Sequence, residues 1–166
     1  GKTRPWTETG AIRSARGNIQ PAVVETGAKG HLIAYCRRGG GYGKESSGYI
    51  IRAESNDYGQ TWTEGKDSVF PNPNSAIEFL KLRNGHLLLV YNGSMTRRTP
   101  LVAAISSDQD RTWTSRLTIE DGSNDYAYPV AVQTADGRIH VVYTSDGRST
   151  IRHAVFEEAA VLAWSR

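Results

Sequence analysis

Short apolar segments separated by glycine-containing turns recur three times along the chain. In each repeat an apolar strand, a glycine turn and a second apolar strand ending in tyrosine follow one another, as in IQPAVVETGAKGHLIAYC (19–36), SAIEFLKLRNGHLLLVYN (75–92) and AYPVAVQTADGRIHVVYT (127–144). A third apolar strand follows each pair, at 48–55, 101–107 and 149–156. Strands of this length joined by tight turns predict up-and-down antiparallel sheets.

A polar turn with the pattern Ser-x-Asp-x-x-x-Thr-Trp follows the third strand of the first two repeats. The first copy contains Ser55, Asp57, Gly59, Thr61 and Trp62, and the second contains Ser106, Asp108, Thr112 and Trp113. We interpret the aspartates as acceptors of local backbone N–H bonds and the tryptophans as packing between sheets, rather than as catalytic or calcium-binding groups. Gly59 suits a position with positive φ, and Asp110, which replaces it in the second copy, also tolerates that conformation.

The repeat predicts the architecture of the whole chain. One small sheet cannot bury both of its faces, so successive sheets must pack against each other. A regular series of four-stranded sheets is typical of a propeller, and a β-sandwich is the alternative. We therefore predict an all-β fold, a single partial β-propeller domain over 1–166 with three four-stranded antiparallel blades. The predicted segments are an outer strand of a neighbouring blade at 3–12, blade one at 18–69, blade two at 70–120, and blade three with a C-terminal tail of helical composition at 125–166.

Composition limits the chemistry that the chain offers. Its net charge of +3 over 166 residues allows an anionic ligand but does not indicate a nucleic-acid partner. The single cysteine, Cys36, lies in an apolar run, so we expect a buried thiol and no disulfide. No residue spacing suggests a metal site or a cofactor, and no apolar run has the length of a membrane span. The sequence does not indicate a cellular compartment.

The turn pattern Ser-x-Asp-x-Gly-x-Thr-Trp is the Asp-box, or BNR repeat, and with these strands around it the chain resembles the sialidase (neuraminidase) superfamily. The resemblance extends from Gly17 to about Glu157 and matches the C-terminal three blades of a six-bladed propeller. Sialidase sites use three arginines that hold the substrate carboxylate, a Tyr–Glu nucleophile pair and an Asp acid/base. The resemblance therefore implies an acidic, sialic-acid-like sugar as the ligand.

Three positions match residues of a sialidase site. Tyr128 lies nine residues before the turn glycine of the last repeat, where the family has its nucleophile. Arg37, after the second strand of the first repeat, matches one carboxylate-binding arginine. Arg98, before the third strand of the second repeat, matches another, with the adjacent Arg97 as an alternative.

The proton-transfer groups of the family are not identified in this chain. Gln20 stands where the activating Glu is expected, and an amide cannot serve as a base. Glu78 is the nearest carboxylate on an inner strand, but its register does not match. The first arginine and the acid/base Asp of the family belong to blades that nothing here matches. Catalysis by this chain alone is therefore uncertain.

Further polar and aromatic residues near the starts of the inner strands are candidates for sugar contacts. Gln20 is one of them, and the stretch PNPNS offers Asn72 and Asn74, whose alternative role is to connect two blades. Tyr126 and Tyr128 fall on one side of a strand by period two, where they would stack on a sugar ring or plug the channel.

Two functional classes follow from these residues. One is an exo-glycosidase of the sialidase type in the full-length parent, and the other is a non-catalytic carbohydrate-binding or scaffold propeller. Because three blades do not close a ring, we expect a homodimer in which two chains meet head to tail and complete the propeller. A truncated chain and an open monomer are the alternatives. Carbohydrate is the expected ligand, and no nucleic-acid or membrane partner is expected.

Overall fold

A computed structural model describes residues 6–39 and 48–163 of the chain. Within these ranges eleven strands form three antiparallel sheets, each built from consecutive strands. The predicted all-β fold with three propeller blades is confirmed. The sheets are numbered here as blades one to three in chain order.

Blade one consists of β1 (Asn18–Glu25), β2 (Leu32–Arg38), β3 (Tyr49–Ser55) and β4 (Lys66–Pro71), hydrogen-bonded in that order. The turn between β1 and β2 contains Gly30 at φ 79, a conformation that favours glycine. Nearly all residues of β2 are buried, whereas β1 and β4 are mostly exposed or half-buried, with one buried residue each. The pattern places β2 inside the fold and β1 and β4 at the two sheet edges.

Blade two consists of β5 (Glu78–Lys81), β6 (Leu87–Asn92), β7 (Leu101–Ser106) and β8 (Ser115–Glu120). Every residue of β6 and β7 is buried, as the apolar runs LLLVYN and LVAAIS predict for strands that are covered on both faces. Blade two is therefore the middle sheet, with blade one on one side and blade three on the other.

Blade three has three strands, β9 (Ala127–Gln133), β10 (Ile139–Ser145) and β11 (Thr150–Phe156), where four were expected. After β11 the described chain forms the short helix α1 (Glu158–Leu162) instead of a fourth strand. The sequence EAAVL explains the difference, because alanine and leucine favour helix over strand. Val161 of the helix is fully buried and packs with residues of blades two and three.

The segment before blade one, which the sequence predicts over 3–12 as the outer strand of a neighbouring blade, is not paired as a strand within this single chain. Residues 7–13 contain no strand, and residues 3–5 lie outside the described residues. Ile12 packs with Trp62 on the face of blade one that is turned away from blade two, against Ala34, Cys36 and Ile51. The segment covers an apolar face of its own blade, which gives it contacts without strand pairing.

The two Asp-box turns have the same hydrogen bonds. The Ser55 hydroxyl donates to Asp57 Oδ1 at 2.7 Å and accepts from the Gly59 N–H at 2.9 Å. Asp57 accepts from the Thr61 N–H at 2.9 Å and from the Thr61 hydroxyl at 2.6 Å. The Thr61 hydroxyl and the other donors lower the pKa of Asp57 to about 2. Because each carboxylate oxygen already accepts hydrogen bonds from its own turn, the geometry is that of a structural turn.

Aromatic rings fill the space between blades one and two. Tyr35 lies edge-on to Phe79 with 4.8 Å between ring centroids, and Phe70 lies edge-on to Trp113 at 5.2 Å. Such pairs contribute about 0.5–1.5 kcal/mol beyond the buried area. Trp113 belongs to the second Asp-box, so this turn also supplies part of the contact between the two sheets.

Asp110 joins the same two blades through hydrogen bonds. Its side chain is 1% exposed and accepts from the Tyr35 hydroxyl at 2.7 Å, from Arg52 Nε at 2.7 Å and from Trp113 Nε1 at 2.8 Å. Burial, together with the neighbouring Asp110 carboxylate, strongly raises the pKa of the Tyr35 phenol, which stays protonated as a donor. Asp110 has φ 76, so it accepts a left-handed conformation in order to place its carboxylate between the blades.

A similar hydrogen bond joins blade three to blade two. The Tyr143 hydroxyl donates to Glu120 Oε1 at 2.6 Å, and Tyr143 also lies edge-on to Tyr126. Around this pair the apolar side chains of the two sheets form a second buried cluster, including Leu88, Val90, Ile139 and Val141. The repeated tyrosine of the second strand therefore reaches blade two from both sides.

We predict that Asp110→Gly destabilises the fold by about 3 kcal/mol, because Arg52 and Tyr35 lose a buried charged acceptor. The backbone conformation of residue 110 alone would predict that Asp110→Gly stabilises the fold, since glycine adopts φ 76 without strain. Chemical denaturation of the two proteins measures the difference. Tyr35→Phe should also lower the free energy of unfolding. In the double variant the combined loss of stability should be smaller than the sum of the two single losses, because both substitutions remove the same hydrogen bond. Stabilisation by Asp110→Gly would contradict the proposed link between the blades.

Candidate functional site

A cleft opens where the first strands of the three blades begin. Each blade contributes three consecutive residues to its lining, at 20–22, 76–78 and 128–130. The lining combines apolar side chains with Gln20, Glu78 and Tyr128. A concave site with a few polar groups at the inner strands is the usual place for a propeller ligand.

Backbone irregularities position Tyr128 and Gln20 at this cleft. Tyr128 has φ 53 and Gln20 has φ 46, both in the left-handed region. The register of β1 against β2 shifts on either side of Gln20, and Tyr128 has no partner residue in β10. Non-glycine residues in this region cost of order 1–3 kcal/mol each and are concentrated at functional sites. Such bulges redirect side chains, which is how both residues reach the cleft.

Two arginines predicted from the sequence come together beside these residues. Arg37 is 7% exposed and donates from Nε to Asn74 Oδ1 at 2.8 Å and from Nη1 to Gln20 Oε1 at 2.6 Å. Arg98 donates from Nη2 to the Asn74 carbonyl oxygen at 3.4 Å. Asn74, which itself has φ 58, therefore lies between the two guanidinium groups. All of these acceptors are neutral, and within 6–39 and 48–163 no carboxylate forms an ion pair with either arginine.

Positive charge surrounds the Tyr128 phenol. Arg98 Cζ lies 5.8 Å from the ring centroid, and Arg148 Cζ lies 5.6 Å from it. Burial by itself would raise the pKa of Tyr128, but hydrogen bonding to Arg98 and the charges of Arg148, Arg98 and Arg37 lower it overall. A phenol with a lowered pKa is a better proton donor and, once ionised, is held by the cations beside it.

Asn72 and Tyr126, two of the predicted sugar-binding residues, lie in the interior. Asn72 is fully buried, where its amide donates to the Ser75 carbonyl oxygen at 2.9 Å and accepts from the Ser75 N–H at 3.1 Å. Tyr126 is 5% exposed and donates to the Asp121 carbonyl oxygen at 3.2 Å. The expectation that Tyr126 and Tyr128 share one side of a strand is wrong, because the left-handed residue at 128 interrupts the period of two.

Two residues at the cleft were missed or set aside by sequence reasoning. Glu78 was judged out of register, yet it lines the cleft with Gln20 and Tyr128. Arg148 was not singled out, although it lies between the repeated tyrosine and the third strand of its blade, as Arg37 and Arg98 do in theirs. The three arginines share that segment but no fixed spacing from the tyrosine. Arg97, the alternative to Arg98, is exposed and donates to the Gly122 carbonyl oxygen at 3.4 Å, away from Tyr128.

Other kinds of site have no support in the described part of the chain. No group of three or more His, Cys, Asp or Glu side chains there is arranged to hold a metal ion. The Cys36 thiol is fully buried, and burial raises its pKa to about 11, so it is not a ready nucleophile. Among the described helices, none has the length and apolarity needed to cross a membrane.

The chain has relatives of known structure. Its sequence matches the model of the BNR repeat-like domain over residues 1–141. The intramolecular trans-sialidase of Ruminococcus gnavus, solved in complex with oseltamivir carboxylate, superposes with a TM-score of 0.69 at 18% identity, over 85% of this chain and 33% of that chain. The leech intramolecular trans-sialidase, complexed with 2,7-anhydro-Neu5Ac, gives 0.66 at 13% identity, over 81% and 23%.

A glycosidase with a different substrate shares the same fold. The α-L-arabinanase of Penicillium chrysogenum, complexed with arabinobiose, superposes with a TM-score of 0.56 at 18% identity, over 84% of this chain and 46% of that chain. No curated protein matches the sequence. The chain spans less than half the length of each of these three proteins. At such identities the likeness shows the fold.

The environment of Glu78 generates a prediction about stability. Burial raises the pKa of Glu78, and no described residue donates a hydrogen bond or forms an ion pair with it. The folded state therefore keeps the Glu78 proton at pH values where the unfolded chain has lost it, so this group's contribution to stability falls as pH rises through its folded pKa. Glu78→Gln should remove this loss of stability at higher pH, because an amide does not ionise. The variant should be more stable than the native chain at neutral pH, and the difference should vanish below the ordinary pKa of glutamate, about 4.3.

Thermal unfolding across this pH range measures the effect. Glu8→Gln is the matched control, because Glu8 is exposed and is not among the residues that line the cleft. A difference between Glu78→Gln and the native chain that does not change with pH would contradict the prediction.

Proposed function

The chain belongs to the BNR repeat-like domain family, and on that premise we propose that its cleft binds acidic sugars by holding their carboxylate between Arg37 and Arg98. The resemblance to sialidases predicted from the sequence is confirmed at the level of the fold and the repeats. The single observation that carries the proposal is the pair of guanidinium groups joined through the neutral acceptors of Asn74, with Gln20 as a second neutral acceptor for Arg37.

The geometry favours a carboxylate over a neutral group. Arginine offers planar paired donors that match the two oxygens of a carboxylate. Arg37 is held in place by Asn74 and Gln20, so little side-chain freedom remains to be lost on binding. Because no described carboxylate neutralises the pair, an anionic ligand would supply the missing counter-charge. The ligand of the Ruminococcus gnavus structure, oseltamivir carboxylate, carries such a group.

Tyr128 supports a second, catalytic candidate function in a longer protein. Its phenol lies at the cleft with a lowered pKa, as a sialidase-type nucleophile requires. Gln20, however, matches the position of the activating glutamate in the sequence resemblance, and an amide is too weak a base to accept the proton of the phenol. We therefore propose binding without turnover for this chain, and sialidase-type hydrolysis with Tyr128 as nucleophile for a parent that supplies both an activating carboxylate and the acid/base group.

Isothermal titration with N-acetylneuraminic acid, and with N-acetylglucosamine as the neutral comparison, tests the binding proposal. We expect the acidic sugar alone to bind. Arg37→Gln and Arg98→Gln should each weaken binding ~10-fold to ~100-fold, because a hydrogen bond to a charged group contributes about 1.5–3 kcal/mol. Arg138→Gln is the matched control, since Arg138 is exposed and paired with Asp136 on a turn away from the cleft.

Equal affinity for the neutral sugar, or unchanged affinity in both cleft variants, would contradict the proposal. Circular dichroism of each variant separates loss of binding from loss of folding. A fluorogenic sialoside, with Tyr128→Phe as the comparison, should show no turnover by this chain. Turnover that Tyr128→Phe abolishes would favour the catalytic candidate.

We also propose a homodimer, because blade three exposes an apolar sheet face on the side away from blade two. Val132, Ile151 and Val155 on this face are 56%, 68% and 44% exposed. In a dimer, a blade of the second copy would cover these side chains, in the same way that blades one and three cover the two faces of blade two. Analytical ultracentrifugation should give the mass of a dimer, and Ile151→Asp should give a monomer. Thr118→Asp, at an exposed position on the outer edge strand of the middle blade, is the control. A monomeric native chain would overturn this proposal.

A further inference from the structure

Each blade places one arginine beside Tyr128 from an equivalent part of its sheet. Arg37 lies near the end of β2, Arg98 lies in the connection from β6 to β7, and Arg148 lies in the connection from β10 to β11. In all three blades this is the passage from the second to the third strand. The sequence resemblance accounts for the first two arginines only, so Arg148 requires an explanation of its own.

The connection that carries Arg148 is held in an unusual conformation. Asp146, Gly147 and Arg148 have φ values of 50, 65 and 71, so three consecutive residues are left-handed. Left-handed conformations disfavour non-glycine residues and persist only where other contacts fix them. Here Asn124 supplies these contacts, because its amide donates to Asp146 Oδ1 at 2.7 Å and accepts from the Asp146 N–H at 3.2 Å.

This constrained turn fixes the position of the Arg148 guanidinium group. Its Cζ lies 5.6 Å from the Tyr128 ring centroid. Within the described residues Arg148 makes no hydrogen bond or ion pair. The nearby Asp146 carboxylate accepts from Asn124 and from Ser145, and lies 3.6 Å from Arg152. The turn therefore places Arg148 beside the ring of Tyr128, which lines the cleft, without neutralising its charge.

We propose that Arg148 is a third anion-binding residue of the cleft, so that one arginine from each blade contacts the carboxylate-bearing ligand beside Tyr128. The inference rests on the proposed binding of acidic sugars and deepens it. It assigns part of the specificity for charged over neutral sugars to blade three. Three guanidinium groups then face the phenol, and Glu78 is the one carboxyl group among the described residues that line the cleft.

Binding and phenol titration together test the role of Arg148. Arg148→Gln should weaken binding of N-acetylneuraminic acid about tenfold, the effect of losing about 1.4 kcal/mol. It should also raise the pKa of Tyr128, read as the ultraviolet difference titration between each protein and its Tyr128→Phe counterpart. Arg148 is exposed, so folding should be unaffected. Arg138→Gln, on another turn of the same blade, should change neither measurement.

The outcomes separate this proposal from the proposed function. If the native chain binds the acidic sugar and Arg148→Gln binds it equally well, the role of Arg148 is overturned while the binding function stands. If the native chain binds no acidic sugar, the binding function fails. Acetate then serves as the probe: it should raise the Tyr128 pKa in the native chain, and less so in Arg148→Gln. An equal effect of acetate in both proteins overturns the anion-binding role.

Discussion

Edge-to-face packing of aromatic rings between neighbouring sheets is the interaction on which this structure depends. Blade two is apolar on both faces, so without blades one and three it would expose both faces to water. Tyr35, Phe79 and Trp113 fill the contact with blade one, and Asp110 fixes the orientation of that contact through three donors. Tyr143 and Glu120 do the same toward blade three. Buried hydrogen bonds specify one arrangement where apolar packing alone would allow several.

The cleft is a product of this packing, because no single blade contains it. Arg37 comes from blade one, Asn74 and Arg98 from the segments of blade two, and Tyr128 from blade three. A rotation of one sheet against the next would separate these groups. The same aromatic layers that stabilise the fold therefore also set the distances on which any ligand contact depends.

The repeat and the three blades could be predicted from the sequence, because strand period and turn chemistry are local properties. Tyr128, Arg37 and Arg98 were expected in one site only through the resemblance to sialidases. The interior positions of Asn72 and Tyr126 could not, since they depend on how one blade packs against the next. Asp110 looked like a tolerated replacement for glycine, and its function appears only when Tyr35 and Arg52 lie beside it. Arg148 comes to lie beside Tyr128 through a strained turn, and Glu78 lines the cleft as the first residue of β5. Neither placement follows from the strand period.

Pro21 and Pro129 follow the two left-handed residues at the cleft, and each lies on the inner edge strand of its sheet. Proline has no N–H to donate, and a bulge bends the strand beside it, so neither edge is a good template for a further β-strand. The features that turn Gln20 and Tyr128 toward a ligand therefore also protect the centre of the molecule from β-augmentation and aggregation.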